Sequence, residues 1–374
     1  MIYRSRFLSF TETFIADHIE YLTRWTPVPA YALRVNDGLR FPGRQVHSIY
    51  GQRGSRLRRA LLHRFGRSPE LLAALRSRGV KIVHAHFMQD GAAIERFAAA
   101  SGLPLVVTAH GYDATIYPEH QVKTADGAFM LRHQRRFART AAAVVCVSEF
   151  IRGELISRGY PPEKLVVNRL GIDTAAYEAG PPASQRRGVL FAGRLNAKKG
   201  IEWLLHAWAR LPPALQREPL TIIGAGQEEG RLRQLATELG INPEFRGAQT
   251  RGEIKQAMLA HRVFAFPSIR GPDGDAEGMG VVAMEAQALG TPVLAFNEGA
   301  PLEVLSDGRS GLLARARDAD DYAAKLAALL TGDALADRLG AGGPAWIAAN
   351  FDLRHSMARL EAIYDRVASG LPPA

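Results

Sequence analysis

Residues 188–193 read Gly188-Val189-Leu190-Phe191-Ala192-Gly193, and residues 194–200 continue as Arg194-Leu195-Asn196-Ala197-Lys198-Lys199-Gly200. The first stretch is short and apolar throughout, which predicts a strand with both faces covered. Residues 201–208 follow with the apolar spacing of a helix. A buried strand that leads through such a loop into a helix is typical of a βαβ unit, so we predict an α/β fold with parallel strands.

The same alternation continues on both sides of this stretch. Similar short apolar runs occupy residues 80–85, 104–108, 143–147, 164–168, 220–223, 263–266 and 291–295. They predict two doubly wound, Rossmann-like sheets in separate domains. Because such sheets bind ligands beyond the carboxyl ends of their strands, we expect the two domains to face a central cleft.

The length and the turn-forming residues suggest where the domains divide. A chain of 374 residues is too long for one core of ordinary size. Residues 179–187 are rich in Pro, Gly and Ser and lack periodicity, so we place a linker there, between domains at 1–178 and 188–350. Residues 351–374 contain an amphipathic helical pattern that we expect to pack back on the first domain.

The net charge of +10 lies entirely in the first half. Residues 1–180 contain 25 Lys and Arg against 15 Asp and Glu, whereas residues 181–374 contain 22 of each. Arginines alternate with apolar residues between Arg53 and Arg67, which favours either a solvated helix face or an anionic membrane surface as a partner. No nucleic-acid-binding signature accompanies this charge, so nucleic acid is not expected as a partner.

The sequence also bears on localisation and redox chemistry. It has no apolar run of membrane-spanning length and no secretory leader pattern, so we expect a cytoplasmic protein, with peripheral attachment to the inner membrane face through the basic segment as an extension of that expectation. The single cysteine, Cys146, lies in an apolar run and is expected to be buried and inert.

Two cations stand where the strand at 188–192 leads into a helix. Arg194 offers a bidentate fork and Lys199 a point charge, beside backbone donors at a helix N-terminus. A diphosphate would be stabilised by all of these groups together. Either cation alone could equally solvate a turn.

A second stretch places two carboxylates around a glycine-rich turn. Glu277 and Glu285 are eight residues apart, too far to share a proton or a metal ion if both were helical. The backbone amides between them can face phosphate oxygens, and glycine lets that backbone approach closely. These amides belong to Gly278, Met279, Gly280 and Val281.

These motifs together resemble the retaining glycosyltransferases of family 4, which have the GT-B fold. The resemblance rests on Gly193-Arg194 with Lys199-Gly200, followed by the Glu277/Glu285 pair, and extends over nearly the whole chain. Further matching segments are Thr108-Ala109-His110-Gly111-Tyr112-Asp113, Val147-Ser148-Glu149, Gly171-Ile172-Asp173 and Ile222-Ile223-Gly224-Ala225-Gly226.

The resemblance implies roles for individual residues. The second domain would bind the nucleotide sugar, with Arg194 and Lys199 on the diphosphate, Glu285 on the ribose and Glu277 on the transferred sugar. His110 would lie on the sugar or acceptor side, in the first domain, and we count it with Glu277, Arg194 and Lys199 as catalytic. Gly224 and Arg246 are also assigned to donor binding, together with the four amides after Glu277.

The opening segment resembles that of exopolysaccharide and colanic-acid-type transferases. It reads Phe7-Leu8-Ser9-Phe10-Thr11-Glu12-Thr13-Phe14-Ile15, after a first strand that we expect to be short. Thr11 and Glu12 of this segment are assigned to the acceptor side. Asp113, which ends the matching segment at 108–113, is assigned there as well. The acceptor is expected to be a lipid-linked saccharide, and the product a surface polysaccharide or glycolipid.

Other ligands fit the sequence less well. Gly224, Gly226 and Gly230 imitate a dinucleotide fingerprint with incorrect spacing. Asp273-Gly274-Asp275 imitates a metal-binding Asp-x-Asp, but it lacks further ligands apart from Glu277. We therefore expect no cofactor and no metal ion, with a nucleotide-diphosphate sugar as co-substrate. A nucleotide-sugar epimerase and a non-catalytic nucleotide-sugar-binding protein are the alternative functions.

Overall fold

The computed structural model describes residues 1–7, 12–34, 46–49, 62 and 65–373. They form two compact units, Met1–Leu170 with Arg354–Ala374, and Gly171–Leu353. The division falls ahead of the predicted linker, so residues 179–187 lie within the second unit. Arg186 is buried there and donates to the Thr291 hydroxyl and the Leu289 carbonyl.

The first unit contains a seven-stranded sheet. Its strands are β1 (Ile2–Phe7), β2 (Pro29–Arg34), β3 (His47–Ser48), β4 (Val83–His86), β5 (Leu105–Ala109), β6 (Ala143–Cys146) and β7 (Leu165–Val167). The order is β3-β2-β1-β4-β5-β6-β7, and all of these pairings are parallel. The strand order reverses between β1 and β4, where doubly wound sheets bind ligands.

Helices follow the strands of this sheet. In the described residues they are α1 (Thr13–Glu20), α2 (Pro69–Arg76), α3 (Met88–Ser101), α4 (Tyr112–Thr115), α5 (Pro118–Gln121), α6 (Ala125–Thr140) and α7 (Glu149–Ser157). Every residue of β4, β5 and β6 is buried, including His84 and His86 in β4, as parallel strands covered on both faces require. Cys146 ends β6 and is buried as a free thiol.

The second unit repeats the architecture with six strands. They are β8 (Arg187–Ala192), β9 (Leu220–Ile223), β10 (Glu244–Gly247), β11 (His261–Phe266), β12 (Val293–Phe296) and β13 (Gly311–Ala314). Their order is β10-β9-β8-β11-β12-β13, again parallel, so the reversal lies between β8 and β11. The predicted class of two doubly wound, Rossmann-like α/β units is confirmed.

Helices of the second unit cover this sheet. They are α8 (Ile201–Ala209), α9 (Glu229–Glu238), α10 (Arg251–Ala260), α11 (Val281–Ala288), α12 (Pro301–Val304), α13 (Ala319–Thr331) and α14 (Asp333–Phe351). The core of the unit includes Phe191, Trp208, Phe296 and Tyr322, all nearly inaccessible. A capping box of Thr250 and Glu253 fixes the start of α10.

The last helix, α15 (Leu353–Ala368), belongs to the first unit from Arg354 onward. Its buried Glu361 accepts backbone hydrogen bonds from Thr23, Arg24 and Trp25 at 2.8, 2.6 and 3.1 Å. Those bonds keep the pKa of Glu361 below its usual value, although burial opposes them. No helix in the described part of the chain is sufficiently long and apolar to cross a membrane.

Candidate active site

The loops that follow β8, β9 and β11 lie together, because β8 pairs with both other strands. Gly193 donates its backbone N–H to Ile223 at 3.0 Å, which joins the first two loops. Ile269 donates to the Lys198 carbonyl at 2.8 Å, which joins the first and third. The polar residues predicted after β8 and β11 therefore lie at the point where the strand order reverses.

Two glycines allow these loops to approach so closely. Gly224 has a φ of +142°, and a Cβ there would lie 1.8 Å from the Gly193 carbonyl oxygen. Gly200 has a φ of +59°, and a Cβ there would lie 2.0 Å from the Pro267 oxygen. Any other residue would separate the loops. Gly224 thus shapes the site through its backbone.

Lys199 and Glu277 form an ion pair at the centre of this loop cluster. Lys199 Nζ lies 2.7 Å from Glu277 Oε1, and each side chain is little exposed. The Ser268 hydroxyl contacts the same oxygen at 3.5 Å. Burial acts to raise the pKa of Glu277, but the charges of Lys199 and Lys198 outweigh it and lower the pKa to about 2. Glu277 is therefore ionised at neutral pH.

A second ion pair lies beside the first. Lys198 Nζ is 3.0 Å from Asp275 Oδ1. Burial would lower the pKa of Lys198, yet the charges of Glu277 and Asp275 raise it. Burial raises the pKa of Asp275 against the opposing charge of Lys198. Two lysines and two carboxylates thus balance each other in charge.

Arg194 adds a cation next to this balanced set. Its side chain is exposed, and among the described residues it forms no hydrogen bond or ion pair. Arg246, in contrast, is held at 2.7 Å by Glu244 on its own strand β10. Of these two predicted donor contacts, only Arg194 has its guanidinium uncommitted within the described chain.

The turn between Glu277 and α11 presents backbone donors. The N–H groups of Gly278, Met279 and Gly280 donate to no other residue that the structure describes. Gly280 has a φ of +95°, and α11 begins at Val281 in the next position, whose own N–H lies in the unpaired first turn. Unpaired amides at a helix start favour binding of an anion.

Glu285 lies further along α11, away from the lysines. Its Oε1 accepts hydrogen bonds from the Tyr177 hydroxyl at 2.6 Å and from Arg251 Nη2 at 2.9 Å. The two glutamates of the motif thus have separate partners, as expected for separate anchors. Neither Tyr177 nor Arg251 is apparent from the sequence motif.

In the first unit, His110 follows β5 and packs among aromatic rings. Its ring centroid lies 4.6 Å from that of Phe14 and 4.7 Å from that of Phe87. Its Nε2 shares one proton with His86 Nδ1 at 3.0 Å, whereas its Nδ1 has no hydrogen-bond partner in the described structure. Burial holds the pKa of His110 well below its ordinary value, so the ring is neutral at pH 7.

One cluster of side chains among the described residues has the geometry of a possible metal site. It consists of His18, His84 and His86. Their ring nitrogens lie within 4.8 Å of one another, and all three rings are buried. Both nitrogens of His84 are already committed, to the Tyr364 and Thr108 hydroxyls. A metal ion would have to displace one of these hydroxyls, so the cluster is better suited to packing as neutral rings.

The acceptor-side residues predicted from the sequence have structural partners here. Asp113 is completely buried, and its carboxylate accepts from the backbone N–H groups of Met88, His110 and Gly111. It therefore positions the loop that carries His110, and its assignment to the acceptor side stays a prediction. Glu12 pairs with Arg4 at 2.7 Å, and Thr11 lies outside the described residues.

Comparison with known protein families covers almost the entire chain. Residues 11–176 match the model of Glycosyltransferase Family 4, and residues 177–346 match that of Glycosyl transferases group 1. An alpha-maltose-1-phosphate synthase of Mycolicibacterium smegmatis is 32% identical over 269 residues, which cover 66% of this chain and 67% of the relative. The chain belongs to the group 1, family 4 glycosyltransferases.

Two further family members are similar to the chain. A putative colanic acid biosynthesis glycosyltransferase, WcaL of Salmonella typhimurium, is 34% identical over 189 residues, or 48% of this chain and 46% of the relative. The chain thus spans about half the length of that relative. The structure of Anabaena Alr3699/HepE with UDP and glucose matches with a TM-score of 0.74 at 20% identity, over 98% of this chain and 99% of that one, which shows a shared fold.

Some residues of this family 4 site were missed from the sequence. Lys198 stands beside Lys199, and Asp275 belongs to the Asp273-Gly274-Asp275 segment, but nothing in either motif indicates that they pair. The adjacent lysines were the available signal. Tyr177 and Arg251 carry no such signal, because each reaches Glu285 only through the folded chain.

Proposed function

We propose that the chain transfers a hexosyl sugar from a nucleotide-diphosphate sugar to a saccharide acceptor, with retention of the anomeric configuration. The observation that carries the proposal is the Lys199–Glu277 pair beside the unpaired amides of Gly278, Met279 and Gly280. This arrangement combines fixed positive charge, backbone donors and an ionised carboxylate. It suits a diphosphate with a hydroxyl-bearing sugar next to it.

The charges favour departure of a nucleoside diphosphate. Lys198 and Lys199 are balanced by Asp275 and Glu277, so Arg194 leaves one positive charge in excess. Negative charge that develops on the leaving phosphate would be stabilised by Arg194, Lys199 and the turn amides. These residues would perform this role without a metal ion, and metal independence is part of the proposal.

The ionised state of Glu277 limits what it can do. With a pKa of about 2 it does not act as a general acid at neutral pH, but it can accept hydrogen bonds from sugar hydroxyls. Its ion pair with Lys199 also lowers its reactivity as a nucleophile. We therefore propose a front-face reaction without a covalent intermediate. A trapped glycosyl adduct on Glu277 would contradict this.

Relatives suggest the kind of substrate. WcaL is named for colanic acid biosynthesis, and the HepE structure contains UDP and glucose. We propose a surface polysaccharide or glycolipid as the product, built on a lipid-linked acceptor at the cytoplasmic membrane face. The basic segment at 53–67 lies mostly outside the described residues, so attachment to anionic membranes stays a prediction, which sedimentation with anionic liposomes at low salt would test.

Turnover tests the proposal directly. We would follow diphosphate release and the sugar product from UDP-glucose, GDP-mannose and ADP-glucose in EDTA, with and without lipid-linked saccharide acceptors. Lys199→Ala should lower turnover about tenfold to a few hundredfold, because it removes a charge-assisted contact to the leaving group. Arg187→Ala is the matched control, since the partner of Arg187 among the described residues is Glu218, at the opposite end of β8.

The outcomes separate the competing functions. Acceptor-dependent release of diphosphate, with the product in the donor's anomeric configuration, supports the proposal. Conversion of the donor sugar without an acceptor would instead indicate an epimerase. Binding of donor without any release under all acceptors would indicate a non-catalytic protein.

A further inference from the structure

The carboxylate of Glu285 is held by one of its two oxygens. Oε1 accepts from the Tyr177 hydroxyl at 2.6 Å and from Arg251 Nη2 and Nε at 2.9 and 3.2 Å. Within the described part of the chain, Oε2 accepts no hydrogen bond. An arginine usually binds a carboxylate through two parallel bonds to both oxygens. Here both nitrogens converge on Oε1, so Oε2 keeps its lone pairs for another donor.

The three side chains form a closed triangle. Arg251 Nη2 also donates to the Tyr177 hydroxyl at 2.7 Å, and that hydroxyl donates onward to Glu285. Burial and the Glu285 charge raise the pKa of Tyr177, so its hydroxyl stays protonated and remains a donor. The pKa of Arg251 is raised as well, because attraction to Glu285 and Tyr177 outweighs its burial. The carboxylate is thus fixed in one orientation.

Helix α10 holds Tyr177 from two successive turns. The Arg251 guanidinium lies 6.0 Å and the Lys255 ammonium 5.4 Å from the Tyr177 ring centroid. Lys255 donates to the Ala176 carbonyl at 2.7 Å, but only Arg251 also reaches Glu285. Arg251 and Lys255 therefore both contact Tyr177, but of the two only Arg251 contacts the Glu285 carboxylate.

We propose that Tyr177 and Arg251 are positioning residues, which hold Glu285 so that Oε2 receives the ribose hydroxyls of the donor. The site would then discriminate nucleoside diphosphates from their deoxyribose analogues. A hydroxyl that donates to an ionised carboxylate is a charge-assisted bond, and its loss from the ligand leaves that oxygen unpaired. The inference rests on the proposed function, because only a nucleotide donor brings a ribose to Glu285, and the ribose role itself is the one that the family resemblance implies.

Calorimetry with matched ligands tests this inference. UDP, GDP and ADP would be titrated in EDTA, followed by the 2′-deoxy and 3′-deoxy forms of the nucleotide that binds. Wild type should prefer the ribonucleotide to at least one deoxy form by about tenfold to a hundredfold. Tyr177→Phe and Arg251→Gln should reduce that ratio towards the value of Glu285→Ala. Lys255→Gln is the control and should keep the wild-type ratio.

The ratio distinguishes positioning from general support. If both variants bind all nucleotides more weakly but keep the wild-type ratio, their role is structural or purely electrostatic and the inference is wrong. If the ratio is lost in Lys255→Gln as well, the contact to Glu285 is not the cause. A wild type that binds no nucleoside diphosphate would refute the proposed function itself, and a Glu285→Ala variant that keeps the ratio would refute the ribose role.

Discussion

The Lys199 ammonium and the Glu277 carboxylate lie 2.7 Å apart with 13% and 12% of their side chains exposed. A pair this buried is weak evidence for stability, because desolvation offsets most of its attraction. Removing one partner is different, since it leaves an uncompensated charge. The pair therefore makes the site sensitive to single substitutions, while keeping Glu277 ionised.

Lys199→Met tests that dependence through stability. Burial raises the pKa of Glu277, and without Lys199 mainly the charge of Lys198 counteracts that effect. The pKa of Glu277 should therefore rise in the variant. We expect the variant to lose about 3 kcal/mol of unfolding free energy at pH 7. Lys255→Met is the control, because that ammonium contacts the Ala176 carbonyl instead of a carboxylate. Equal losses in both variants, measured by urea unfolding, would contradict the account.

The ionisation of Glu277 also makes the unfolding free energy of the wild type depend on pH. The folded pKa of Glu277 is depressed to about 2, so its ionisation stabilises the fold above the unfolded value of about 4.5. That contribution is lost as the pH falls from about 4.5 to about 2. In Lys199→Met this part of the acid dependence should be weaker.

At the scale of elements, most central strands were predictable from apolar runs, and β1 was not predicted at its full length. β5, β6, β8, β9, β11 and β12 overlap predicted apolar runs, and β4 overlaps one although two of its four residues are histidines. β1 contains Arg4, Ser5 and Arg6, so only its first residues suggested a strand, yet it has six residues. Its polar side chains are accommodated by tertiary contacts, since Arg4 pairs with Asp90 at 2.7 Å. Strand periodicity cannot reveal such a partner.

The site elements show the same limit. Loops at the carboxyl ends of β8 and β11 were predicted from glycine and charge spacing, because local sequence determines them. The Glu285 partners were not, since Tyr177 is 108 residues away along the chain and Arg251 is 34 residues away. The partners of Asp113 were equally hidden in the sequence: its buried carboxylate accepts hydrogen bonds from the backbone N–H groups of Met88 and Gly111, which its motif position does not indicate.

The neutral histidine cluster predicts acid sensitivity of the first unit. Burial lowers the pKa of His18 to about 4 and holds those of His84 and His86 well below the ordinary value. The charge of Arg4 also disfavours protonation of His86. Burial lowers the pKa of the Met1 amine to about 5, so this group adds to the acid sensitivity of the first unit. The unfolded histidines bind protons near pH 6.5, so the contribution of their burial to stability is complete above that pH and falls as the pH decreases towards 4.

Hydrogen exchange with mass spectrometry can measure the acid sensitivity of each unit separately. Protection of the first unit should fall between pH 6.5 and 4, by about 1.4 kcal/mol per pH unit for each histidine involved. His18→Asn should reduce that slope, and His355→Asn, at an exposed position on α15, should leave it unchanged. A slope that His18→Asn does not alter would show that other groups cause the acid sensitivity.

At the scale of the whole molecule, the chain leaves the first unit at Leu170 and returns to it at Arg354. Composition suggested a linker at 179–187, and this segment lies within the second unit, where Ala183 and Arg186 are buried while Pro181 and Pro182 are exposed. The return of α15 depends on Glu361, whose carboxylate satisfies three consecutive backbone N–H groups. A linker and a turn within a domain have similar amino-acid compositions. Tertiary contacts, which the sequence does not show, are needed to distinguish the two.

We propose that the second unit binds a nucleoside diphosphate through Lys199 and Glu285. A thermal-shift screen of UDP, GDP and ADP in EDTA, on wild type, Lys199→Ala, Glu285→Ala and the Arg187→Ala control, tests it most directly. We predict that one nucleotide raises the melting temperature of wild type and Arg187→Ala, and that the shift is lost in the other two variants. No shift with any nucleotide, or a shift that survives in both site variants, would contradict the account.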